Sequence, residues 1–116
     1  MEPNVELGLL LGYYGGLLTP RQRKLTALYA WEDLSLQEIA EREGVSRQGV
    51  RDALARARLQ MLSYETELGL IARDRALREA FANLEREIRP LSREQYPALF
   101  DKLTAMKRLF EETTNV

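Results

Sequence analysis

Apolar positions recur along this chain at intervals of three and four residues, and no segment alternates with period two. That spacing lays a stripe along a helix, whereas a half-buried strand would alternate. The first run, Leu7 to Leu18, reads LGLLLGYYGGLL and predicts a buried helix capped by Asn4 and ended at Gly15-Gly16. Gly8 and Gly12 lie four apart on one face, which lets a second helix approach closely, within the chain rather than across a dimer seam. Thr19-Pro20-Arg21-Gln22 supplies an N-cap, a proline at the first helical position and a glutamine at the third. The helix it opens turns Leu25, Leu28 and Tyr29 inward and ends near Trp31 to Asp33. Ser35-Leu36-Gln37-Glu38 is a second capping box, opening a short helix with Leu36, Ile39 and Ala40 on one side and Gly44 at its end.

Ser46 caps the next helix, whose inward stripe is Val50, Ala53 or Leu54, Ala57, Met61, Tyr64, Leu68 and Ile71. The stripe resumes out of phase at Leu77, Phe81, Leu84 and Ile88, so a bend or break is expected over residues 69–76, helped by Gly69. Arg89-Pro90 stops that element. Ser92-Arg93-Glu94-Gln95 reads as a third capping box before a last helix bearing Tyr96, Leu99, Leu103, Met106 and Phe110, with Thr113 to Val116 fraying. The expectation is an all-α protein forming one compact domain. Its segments are a buried N-terminal helix (1–18), a helix-turn-helix unit with a long recognition helix (19–72) and C-terminal helices (73–116).

Composition narrows the chemistry. The 116 residues include neither cysteine nor histidine, which excludes disulfides, thiolate nucleophiles, Cys/His zinc sites and imidazole acid–base catalysis. No cofactor or metal is expected. The apolar run 7–18 is too short for a bilayer, which needs about 20 residues, and Glu2 and Glu6 stand where a signal peptide would be basic. A cytoplasmic protein without membrane contact is the expectation. The pairs Glu32-Asp33 and Glu111-Glu112 point different ways around a helix and have no catalytic partner. Without a phosphate loop or nucleophile motif, the chain reads as non-enzymatic.

Between Leu36 and Ala55 the pattern is that of a helix-turn-helix. Ala40 is small where the two helices cross, Gly44 permits positive φ in the turn, and Val45 and Val50 fill the angle between the helices. Around this core, Leu18 to Arg23, Leu34 to Glu41, Gly44-Val45-Ser46 and Leu54 to Arg58 resemble region four of bacterial sigma factors. A closer resemblance is to the YlxM family of small bacterial proteins. It is carried by Tyr13-Tyr14-Gly15-Gly16-Leu17-Leu18-Thr19, Glu32 to Leu36, Val45 to Val50 with Asp52, and Tyr64-Glu65 with Leu68. The match spans about residues 9–72. It implies a sigma-like helix-turn-helix without polymerase-binding regions. It also implies a regulatory role linked to the signal recognition particle, with that particle's RNA or GTPase as partner. Two residues depart from the pattern: Glu43 stands where an apolar side chain usually closes the first helix, and Gly49 stands where alanine is usual.

On the outward face of the recognition helix, Arg47, Gln48 and Arg51 are candidate base contacts, because arginine pairs bidentately with guanine and glutamine with adenine. Their other reading is a solvated polar face. Arg21, Arg23, Lys24, Ser46, Arg56 and Arg58 are candidate backbone contacts. The first three crowd a helix N-terminus against its dipole, which local stability does not ask for. Asp52 is expected to pair with Arg56, or to accept from a cytosine amine. Glu43 is expected to be partly exposed or paired with a cation such as Arg47. Tyr13, Tyr14, Trp31 and Tyr64 have the chemistry to stack on RNA bases, but their helical spacing reads as core.

Formal charge is −1 overall, with −2 on residues 1–18, +2 on 19–62 and −1 on 63–116. That permits nucleic-acid binding without demanding it. Low charge, Asp52 and Glu43 lean toward a signal recognition particle accessory; intact helix-turn-helix geometry supports a sequence-specific transcription regulator. The apolar stripes after residue 72 point to a homodimer.

Overall fold

A computed structural model describes residues 3–114, and among these every regular element is a helix. The chain divides into two compact units, residues 1–69 and 70–116.

The first unit contains α1 (Pro3–Tyr14), a 3-10 turn (Gly15–Leu17), α2 (Pro20–Ala30), α3 (Leu36–Glu43) and α4 (Arg47–Leu68). Of the three expected capping boxes, the two in this unit close in full. Thr19 Oγ1 accepts from the Gln22 N–H while the Gln22 side chain accepts from the Thr19 N–H, and Ser35 with Glu38 repeats the exchange. Asn4 does not cap α1; the helix already includes it, starting at Pro3, a residue suited to a first turn.

Helix α4 packs against α1, α2 and α3. Leu25, Leu28, Ile39, Ala40, Val50 and Leu54 form one core cluster, flanked by Tyr29, Leu34, Leu36, Val45 and Ala53. Val50, Ala57 and Met61 are wholly buried, so the α4 stripe runs inward as its spacing requires. Leu68 departs from it and is 56% exposed, because the helix ends at Gly69, which takes a left-handed φ of 62°. The interruption expected over 69–76 is thus a break at that glycine. Gly8 serves close approach: Trp31 packs on it and the indole N–H donates to the Gly8 carbonyl at 3.3 Å.

The second unit is a pair of helices, α5 (Leu70–Ile88) and α6 (Pro97–Thr114). Phe81 and Phe110 meet with ring centroids 5.1 Å apart, and the Arg78 guanidinium lies over Phe110. Ser92 does not begin the last helix. Its side chain accepts from the Gln95 N–H and its carbonyl from Tyr96, but Pro97 forces the preceding residue out of helical geometry. One turn closes, and α6 starts afresh at Pro97. Tyr96 is consequently exposed rather than inward, and Leu77, Leu84 and Met106 of the stripes are also more than 40% exposed. Thr113 and Thr114 continue α6; the rest of the expected fraying, at Asn115 and Val116, lies outside the described residues.

Candidate nucleic-acid interface

The turn between α3 and α4 sets the direction of the recognition helix. Gly44 sits at φ 67°, ψ 34°, and its N–H donates to the Ala40 carbonyl, while Val45 N–H reaches the same carbonyl at 3.0 Å. A side chain at Gly44 would be strained. Ser46 then turns its hydroxyl inward as N-cap, accepting from the Gly49 N–H at 2.9 Å. Its oxygen is therefore already engaged. A Cβ at position 49 would lie 3.0 Å from that oxygen, which is the local setting of the unusual glycine.

Arg47, Gln48 and Arg51 are all exposed on the first turns of α4. Arg47 and Arg51 are one turn apart and share a stripe. Gln48 and Asp52 form the adjacent stripe and bond to each other, the glutamine Nε2 donating to Oδ1 at 2.9 Å. The expected Asp52–Arg56 pair does not form: the amide one turn earlier takes the carboxylate, and Arg56 stays exposed.

The candidate backbone contacts separate into two kinds. Arg21, Arg23 and Arg56 are exposed and make no side-chain ion pair among the described residues, as is true of Arg47 and Arg51. Lys24 instead pairs with Glu43 at 2.9 Å, and Arg58 with Glu6 at 2.8 Å. Glu43 is thus part-buried and paired, with Lys24 rather than Arg47 as its cation. The pair also places the first turns of α2 beside the end of α3, so this basic cluster adjoins the helix-turn-helix, whereas Arg58 is turned toward α1. Both bridges join partly exposed groups and are worth about 0–1 kcal/mol.

Several supporting residues had no sequence signal of their own. Gln60 accepts from Gln22 and donates to the Tyr64 hydroxyl, linking the cap of α2 to α4. Buried Tyr14 donates its hydroxyl to Glu65. Thr26 is wholly buried and donates to the Gln22 carbonyl one turn back. Of the aromatics, Tyr14 is core and Tyr13 and Tyr64 are half-buried, while Trp31 is 50% exposed with its N–H engaged by Gly8. Glu38 carries a perturbed carboxyl: the Ser35 backbone N–H, and then its hydroxyl, hold it below the ordinary value of 4.5. No group of three or more acidic side chains among the described residues forms a metal cage, and no described helix is long and apolar enough to cross a membrane.

Comparison with known proteins agrees with this geometry. A family model described as a helix-turn-helix protein, YlxM / p13 like, matches residues 1–97. A UPF0122 protein of Clostridium botulinum is 40% identical over 89 residues, covering 77% of this chain and 82% of its own. One from Thermoanaerobacter sp. is 35% identical over 105 residues, 90% of each chain, and one from Desulforamulus reducens is 50% identical over 68 residues, 59% of this chain and 58% of its own. With its αL turn glycine, its capped recognition helix and this match, the chain belongs to the UPF0122 family of YlxM / p13-like helix-turn-helix proteins.

Proposed function

We propose that this chain is a non-enzymatic cytoplasmic regulator that binds duplex nucleic acid through the first two turns of α4. The observation that carries this reading is the stripe of Arg47 and Arg51. Two exposed cations without ion-pair partners among the described residues stand at the start of a helix whose direction is fixed by the Gly44 turn and Ser46 cap. Such a stripe fits the acceptor edge of guanine in the major groove. Arg21, Arg23 and Arg56 neutralise phosphates, and Arg58 joins them by exchanging the Glu6 carboxylate for a phosphate, while Lys24 stays on Glu43. Glu43, a sequence argument against tight DNA reading, is neutralised by Lys24.

The second reading is an accessory of the signal recognition particle, implied by the YlxM resemblance, with the particle's RNA or GTPase as partner. The engagement of Lys24 and Arg58 in internal pairs favours its GTPase partner, because fewer free cations mean a weaker grip on any phosphate backbone, RNA or DNA.

A competition titration at near-physiological salt separates the two, using labelled particle RNA, the GTPase and a pool of random duplexes. Duplex reading predicts enrichment of one motif by about 1000-fold or more over the pool. It also predicts that the preference relaxes in Arg47→Ala at a cost of ~1–3 kcal/mol. Submicromolar particle binding lost in Arg47→Ala, with no duplex motif selected, would establish the second reading instead.

A further inference from the structure

We propose that the α5–α6 pair holds a binding site for a phosphate dianion, free or as a monoester, at Arg89, Arg93 and Lys107. A hollow of about 220 Å³ lies within the second unit, and these three cations line it together with Glu85, Phe100 and Thr104. None of these residues belongs to α4, and the duplex reading leaves them without a role.

Two of the cations gather around one inner carboxylate. The Arg89 guanidinium, one turn on from Glu85, lies 3.4 Å from its Oε1, and Lys107 Nζ of α6 lies 3.8 Å from its Oε2. The Glu85 side chain is 19% exposed, against 68% for Arg89 and 55% for Lys107. An anion arriving from solvent therefore meets the cations before it meets the carboxylate. Neither bridge is as short as a charge-assisted hydrogen bond, about 2.7–2.9 Å, so both cations keep donors for a closer partner. Arg93 is held differently: its guanidinium sits 4.9 Å from the centre of the Phe100 ring. A cation–π contact draws on the charge and spends none of the N–H donors.

Charge decides which anion fits. Three cations against one carboxylate leave two positive charges at the hollow. A free phosphate or a phosphate monoester carries about −1.5 to −2 near neutral pH, which matches that excess. A carboxylate or a backbone phosphodiester, each a monoanion, would leave it half neutralised. The planar fork of arginine also suits an oxyanion with several acceptor oxygens. The Thr104 hydroxyl, one turn before Lys107 on α6, adds a further donor.

Amide chemical-shift titration of the full labelled chain tests this with inorganic phosphate, adenosine monophosphate and adenosine. The pH is held well above the second phosphate pKa of about 6, and ionic strength is matched with sodium chloride. Both phosphates should saturate a single site, with the largest shifts at Arg89, Arg93, Phe100 and Lys107, while adenosine shifts nothing. Lys107→Gln and Arg93→Ala, both at exposed positions, should each weaken binding by about 10-fold, and Arg51→Ala should leave it unchanged. Glu85→Gln removes the inner negative charge and keeps every cation, so binding should tighten by roughly 2- to 5-fold. Tighter binding of the monophosphate than of inorganic phosphate identifies an ester as the ligand; equal or weaker binding identifies the free ion. Shifts that grow without saturation, or that sodium chloride alone reproduces, would overturn the site. Binding unchanged in both Lys107→Gln and Arg93→Ala would do so as well, as would displacement of the phosphate by a short duplex, whose groups are diesters.

Discussion

Gly49 runs against the local stability of its helix. A glycine within a helix costs about 1 kcal/mol relative to alanine. The obstacle to alanine is the Ser46 hydroxyl, 3.0 Å from where the Cβ would lie. Thr19 and Ser35 cap their helices in the same way with Gln22 and Glu38, residues that carry a Cβ, at this third position. A small rotation of Ser46 therefore accommodates the methyl, and Gly49→Ala should stabilise the chain by ~0.5–1 kcal/mol in equilibrium unfolding. Gly44 behaves oppositely. Its φ of 67° penalises any L side chain, and Gly44→Ala should lose ~1–2 kcal/mol in the same assay. The Lys24–Glu43 bridge, partly exposed, should give a double-mutant coupling below about 1 kcal/mol.

At the scale of the element, α3 carries a pH-sensitive cap. Glu38 is stabilised as a carboxylate by the Ser35 N–H and hydroxyl, so its folded-state pKa lies below 4.5. A depressed acid contributes stability that is present above its unfolded pKa and is lost as pH falls through the folded value. The stability difference between wild type and Glu38→Gln should therefore shrink as pH drops below 4.5, measured by denaturant unfolding at several pH values. A difference independent of pH would show that the carboxylate charge contributes nothing to the cap.

Helix starts of this kind were legible in the chain because Thr19, Ser35 and Ser46 bond to backbone within three residues, and local chemistry leaves a local pattern. The α3–α4 turn was legible for the same reason. Contacts between distant segments were not: Lys24 with Glu43 and Arg58 with Glu6 depend on how helices pack, and no spacing rule encodes them. The false start at Ser92 came from reading a cap without the proline that follows it. Asp52 was misjudged because two partners, at i−4 and i+4, were both within reach, and the amide took it.

At the scale of the whole molecule, the helix pair α5–α6 leaves Leu77, Leu84, Met106 and Leu109 exposed. Two helices alone cover little apolar surface, and a second copy would cover more. Sedimentation of the full chain should show a dimer, shifting toward monomer when residues 93–116 are removed; a full chain monomeric at high micromolar concentration would contradict that assembly. The proposed binding of nucleic acid at the start of α4 does not depend on that assembly. Amide chemical-shift mapping tests that claim most directly, with a selected duplex added to the labelled chain. The largest shifts should fall across Ser46–Asp52, with smaller ones at Arg21, Arg23 and Arg56, and the pattern should be lost in Arg47→Ala. Shifts confined to α5 and α6, or none at saturating duplex, would contradict it.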